Sequence, residues 1–150
     1  MSATSPNLWL IAAGAFSLLA SLLHLACILG GPAWYNFFGA GDKMVRMAMQ
    51  GSWIPAAITF AIAVVLAVWA AYAFSGAGLL PRLPMPGIVL VLISALLLFR
   101  ATLFFVRETW RPDLSFNFML WSSLIVLALG VCFTVGTWRA WPLLSAEGPK

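Results

Sequence analysis

Four apolar runs, Leu8 to Leu29, Ser52 to Phe74, Gly87 to Val106 and Phe118 to Trp138, constrain this chain more than any other feature. Each has the roughly 20 residues that a helix needs to cross about 30 Å of hydrocarbon. Open strands have no place there, because lipid satisfies none of their backbone groups while a helix satisfies its own. The expected fold is all-α: one domain over residues 1–150, an integral membrane bundle of four transmembrane helices. Composition agrees, at 63% hydrophobic and 8% charged residues, with a mean hydropathy of +1.02. A water-soluble fold of this size would have to expose much of that surface.

The first run does not read as a cleaved signal, since its leading segment "MSATSPN" has no lysine or arginine and the run outlasts a signal core. Ser5 and Pro6 are expected to start its helix. With four spans, both termini share one membrane face, here the terminal side. The opposite face, the loop side, carries "GGPAWYNFFGAGDKMVRMAMQG" and "RETWRPDLSFN", while "SGAGLLPRLPMP" turns on the terminal side. Trp34, Trp53, Trp110 and Trp121 border the loop side, and Trp9, Trp138 and Trp141 the terminal side, as an aromatic belt. Lys43, Arg46, Arg107 and Arg111 lie on the loop side, against Arg82, Arg139 and Lys150 on the other, so charge sets no orientation. A net charge of +4, scattered over both faces, is interfacial anchoring and not a nucleic-acid footprint.

Within the first loop, Lys43 to Gln50 puts Met44, Met47 and Ala48 on one helical face and Lys43, Arg46 and Gln50 on the other. Asp42 is the expected N-cap and Gly51 the stop. This short interfacial helix is either an anchor or a lid, with Gly39 and Gly41 as candidate hinges.

Polar groups inside the runs are where function belongs, because each must be satisfied or reach water. Gly14, Ser17, Ser21 and His24 recur at helical spacing on one stripe of the first span, which should face other helices. Ala56, Thr59, Ala63, Ala67 and Ala70 form a small-residue seam for close packing in the second. Arg100 sits inside the third span, with Arg107 and Glu108 on the same face. Asn117, Ser122 and Ser123 open the fourth, and Gln50 and Ser52 the second. From the helical rise, His24 lies about 7 Å and Arg100 about 9 Å from the loop-side ends of their spans. All four spans thus bring polar groups near the loop-side face, and the terminal-side half is expected to be almost wholly apolar.

The expected site is a loop-side cavity lined by His24, Arg100, Gln50 and Ser122, rimmed by Arg107 and Glu108, and covered by the loop holding Trp34 and Tyr35. The alternative takes each residue alone: Arg100 snorkels to headgroups, His24 bonds between helices, and the remaining charges pair in water. Cys27 and Cys132 differ in level by on the order of 16 Å, too far for a disulfide. With one histidine and cysteines at different levels, no metal site is expected, and haem would find one axial ligand. All four carboxylates lie outside or at the edges of the spans, unlike the pattern of small multidrug exporters.

The stretch "GGPAWYNFFGAGDKMVRMAMQGSW" with "LWSSLIVLALG" resembles small bacterial inner-membrane proteins with four spans. The resemblance covers most of the chain. It implies a bacterial inner membrane and names no reaction. Span count also resembles the membrane-associated eicosanoid and glutathione enzymes, but those carry charged and amide residues in their second span, and none lies between Ser52 and Phe74.

Three functions follow in order. The first is a non-enzymatic binder of a lipophilic or anionic amphipathic ligand, or a small partner subunit, with an anionic headgroup or carboxylate as the partner of Arg100 and Arg107. The second is an isomerase or transferase on a membrane-soluble substrate, with His24 as general acid or base, Arg100 as electrostatic stabiliser and Glu108 as orienting group. The third is a small transporter. Expected partners are membrane lipid, a lipophilic small molecule, and a second copy or another membrane protein; the cofactor is unspecified.

Overall fold

The structure, a computed structural model, describes residues 6–106, 114 and 116–145. Five helices follow in order: α1 (Leu8–Phe37), α2 (Asp42–Met49), α3 (Ile54–Gly76), α4 (Pro86–Thr102), continued by a 3₁₀ turn (Leu103–Val106), and α5 (Phe116–Leu144). All but α2 are long and apolar enough to cross a membrane. Their outward residues are large and apolar, with Leu19, Phe60, Leu92 and Ile125 all more than half exposed. Lipid is the solvent such a surface requires, and the chain is a multi-pass membrane protein.

Two expected boundaries are corrected. Asn7, not Ser5 or Pro6, caps α1: its side-chain oxygen accepts from the Leu10 N–H at 3.3 Å, so Pro6 precedes the cap. Asp42 is the first residue of α2 rather than its N-cap, which is Gly41. The stop at Gly51 is as expected, the Ser52 N–H reaching back to the Met47 carbonyl and the Gly51 N–H to that of Ala48. α2 also divides its faces as expected, Met44, Met47 and Ala48 half-buried against exposed Lys43, Arg46 and Gln50.

A larger correction concerns Trp34 and Tyr35, which are helical and not part of a loop. Pro32 forbids the i−4 hydrogen bond, so the chain breaks at Gly31, whose φ of 62° and ψ of −149° suit only glycine. Helical geometry resumes after the break, and the second segment ends at Gly39 (φ 66°), where the Ala40 N–H bonds the Tyr35 carbonyl. The expected stop at Leu29 is therefore a kink.

α1 packs antiparallel on α3 and α4 on α5; these pairs join along α1–α5 and more narrowly along α3–α4, leaving α1 and α4 on a diagonal. Lipid removes most of the hydrophobic drive for helices to associate, so small residues and hydrogen bonds must supply it. They do so here. A side chain on Gly14 would strike the Phe74 ring, and one on Gly136 would come within 3.0 Å of the Leu10 backbone nitrogen. Asn7 donates to the Gly136 carbonyl at 2.7 Å, and Ser21 to the Ala63 carbonyl at 2.7 Å. Thr59, Ala63 and Ala70 are buried along the α3 seam. The main apolar core, including Leu10, Ala13, Leu90, Ile93, Leu97 and Phe133, fills the terminal-side half.

Candidate functional site

Contacts between helices set the level of each polar residue. Leu10 lies against Gly136, and counting along these antiparallel helices brings Ser123 level with Leu23 and His24, to within about a turn. The Ser21–Ala63 bond likewise puts Thr59 about one turn further towards the loop side. Gly130 faces Leu97 and Leu98, so Arg100 stands about one turn deeper than Ser123. Four spans therefore place polar side chains in one layer of the loop-side half.

Their local chemistry differs. Arg100 continues the buried stripe Leu90, Ile93, Leu97 of α4, and its Nη1 is buried. On the facing α5, Ser123 is 6% exposed and its hydroxyl has no hydrogen-bond partner. Ser122 is half-buried and bends back to the Met119 carbonyl at 3.4 Å. Thr59 is spent on the Pro55 carbonyl, 2.8 Å away. His24, half-buried, has Nδ1 2.8 Å from the Ala20 carbonyl. A carbonyl only accepts, so Nδ1 carries the proton, and in the neutral ring the lone pair lies on Nε2.

Other expected site residues lie elsewhere. Tyr35 is 4% exposed with an unpartnered hydroxyl, whereas Trp34 is exposed and packs its ring 5.9 Å from that of Phe38. Gln50 is exposed at the end of α2. Arg107 and Glu108 lie outside the described residues. His24 and Arg100 occupy diagonal helices, so direct helix packing does not bring them together. Gly39 and Gly41 instead line a small loop-side cleft of about 260 Å³ with Asn36, Asp42, Leu114 and Phe118. The Phe118 ring sits directly over Gly39, fixing this corner to α5.

The terminal-side half departs from the expected apolar interior. Ser94 is buried there and bonds the Leu90 carbonyl at 2.8 Å, while Thr137 is buried with an unpartnered hydroxyl. A cleft of about 920 Å³, considerably larger than the loop-side one, opens on this face. Its arginines, Arg82 and Arg139, read in sequence as anchors. Only their convergence from separate segments reveals a concavity. Both cysteines are free thiols, and among the described residues no three His, Cys, Asp or Glu side chains form a group able to hold a metal.

No family model, no curated protein and no solved structure matches this chain.

Proposed function

We propose that the protein is a non-enzymatic binder of a lipophilic or anionic amphipathic ligand, held in the loop-side half of its bundle in a bacterial inner membrane. The observation that carries this reading is on two facing helices: the buried guanidinium nitrogen of Arg100, and the buried Ser123 hydroxyl, about one turn nearer the loop side and with no hydrogen-bond partner. Burying an unpaired hydroxyl costs roughly 1–3 kcal/mol, and a bound polar head offsets that cost. Arg100 supplies positive charge where the dielectric is low, which favours an anionic acceptor over a neutral one. An apolar tail would leave between helices into lipid.

The test is mass spectrometry of lipophiles extracted from the purified protein, beside Ser123→Ala and Arg100→Leu. Retention by the parent and loss in both variants is expected. If nothing is retained and Ser123→Ala raises the melting temperature, the hydroxyl is merely idle and the reading fails. A second reading, an isomerase or transferase, draws on the bond between Nδ1 of His24 and Ala20, which leaves Nε2 as the basic nitrogen. It requires His24→Ala to retain the ligand while losing its conversion.

A further inference from the structure

We propose that residues 32–50, the segment beyond the α1 kink together with α2, form a hinged lid over the loop-side end of the bundle, latched where the Phe118 ring sits on Gly39. The lid controls access to the polar layer at Ser123, and so rests on the loop-side reading for what it covers. The segment spans that end of the molecule: α2 lies against α1 and α3, and Gly39 lies under Phe118 of α5. Phe118 precedes Ser123 on its helix, which puts the latch about one and a half turns to the loop side of the Ser123 hydroxyl.

The glycines of this segment divide into hinges and a seat. Gly31 (φ 62°) and Gly51 (φ 74°) bound it, and both hold left-handed backbone. Neither has a neighbouring atom within 4 Å of the point where a side chain would start. Backbone that needs glycine and is uncrowded can absorb a large rotation without striking anything, which is what a hinge requires. Gly39 (φ 66°) is left-handed too, but it is crowded, since a side chain there would strike the Phe118 ring. Of the hinges expected from the sequence, Gly39 is therefore the seat of the latch.

The rest of the lid is held lightly. No residue of α2 is buried, and its N-cap, Gly41, makes no side-chain capping bond. The inner face is Met44, Met47 and Ala48, each half-buried. At a membrane surface that face has a second apolar environment, the acyl-chain boundary, so lifting α2 off the bundle leaves little of it in water. Exposed Lys43 and Arg46 stay at headgroup level in either position. Tyr35 adds a bias towards opening. It is 4% exposed and its hydroxyl has no hydrogen-bond partner, so the closed lid bears the desolvation of that group and water relieves it on opening.

Cysteine labelling and a distance across the membrane test this, on the full chain in lipid nanodiscs with Cys27 and Cys132 replaced by alanine. Reaction of Ser123→Cys with a small charged methanethiosulfonate proceeds through the open state, so its rate reports the open fraction. Phe118→Ala removes the latch, and Gly39→Ala displaces it while keeping the ring. Each should speed that reaction roughly fivefold and leave Ser94→Cys, in the other half of the bundle, unchanged. Spin labels at Lys43→Cys and Arg139→Cys, exposed at opposite membrane faces, should show one main distance in the parent and a second in both variants. Neither measurement involves a ligand, so both stand apart from the extraction that tests the loop-side site itself. An unchanged distance distribution in both variants would overturn the lid. Acceleration by Phe118→Ala alone would also overturn it, making the ring a plug, as would equal acceleration at Ser94→Cys, which would mean that the whole bundle loosens.

Discussion

Ser94 and Ser123 are the same side chain, equally buried, in opposite halves of one bundle, and they behave differently. Ser94 sits among the residues of the apolar core and closes its hydroxyl on its own helix at 2.8 Å. Ser123, on the helix facing α4, lies about one turn nearer the loop side than Arg100, with its hydroxyl unpartnered. In the terminal-side half, interior space is filled by Leu10, Phe133 and their neighbours, and helices approach until only glycine fits. In the loop-side half, hydroxyls, an imidazole and a guanidinium take that space, and α1 kinks at Gly31. Packing and interhelical bonds must stabilise a bundle in lipid, and the two halves supply them differently: the terminal-side half by close apolar packing, the loop-side half with a layer of polar side chains that includes the Ser21–Ala63 bond.

That division can be broken at its tight end first. Gly136→Leu should cost more than about 3 kcal/mol, because the new side chain meets Leu10 backbone as well as its side chain. Chemical unfolding in detergent would read this, and a loss below about 1 kcal/mol would mean that the α1–α5 crossing is loose. Gly31→Ala is next, at roughly 1–3 kcal/mol. No neighbour crowds that position, so the whole cost is backbone conformation. Fluorescence quenching of Trp34 should report the segment beyond the kink moving. Ser21→Ala should cost only about 0.6 kcal/mol, the usual worth of an interhelical hydrogen bond in a membrane. A thermal shift series resolves it beside Ser94→Ala, which breaks a bond within one helix and should cost less.

The spans were legible because length and hydropathy suffice for them, and their polar layer because helical rise converts sequence position into depth. The kink was not. Gly30, Gly31 and Pro32 look like the end of a helix, yet one glycine absorbs the break and Pro32 is tolerated in the first turn that follows. Thr137 and Ser94 leave no mark in the sequence, because isolated hydroxyls among apolar residues carry no periodic signal. Arg82 and Arg139 read as separate anchors, since nothing local to either predicts that α1, α3 and α5 end around a common cleft. Arg100 is the intermediate case: its depth was plain from the sequence, and the burial of its Nη1 needed the fold.

The most direct test exploits the matched serines. Cysteine is close to serine in size, so Ser94→Cys and Ser123→Cys, each made with Cys27 and Cys132 replaced by alanine, perturb the two halves equally. Reaction with a small water-soluble methanethiosulfonate should be at least about tenfold faster at position 123 than at position 94, since a layer that opens to the polar head of a ligand also opens to a small charged reagent. Equal, slow reaction at both positions would contradict the division and leave a bundle sealed along its whole length.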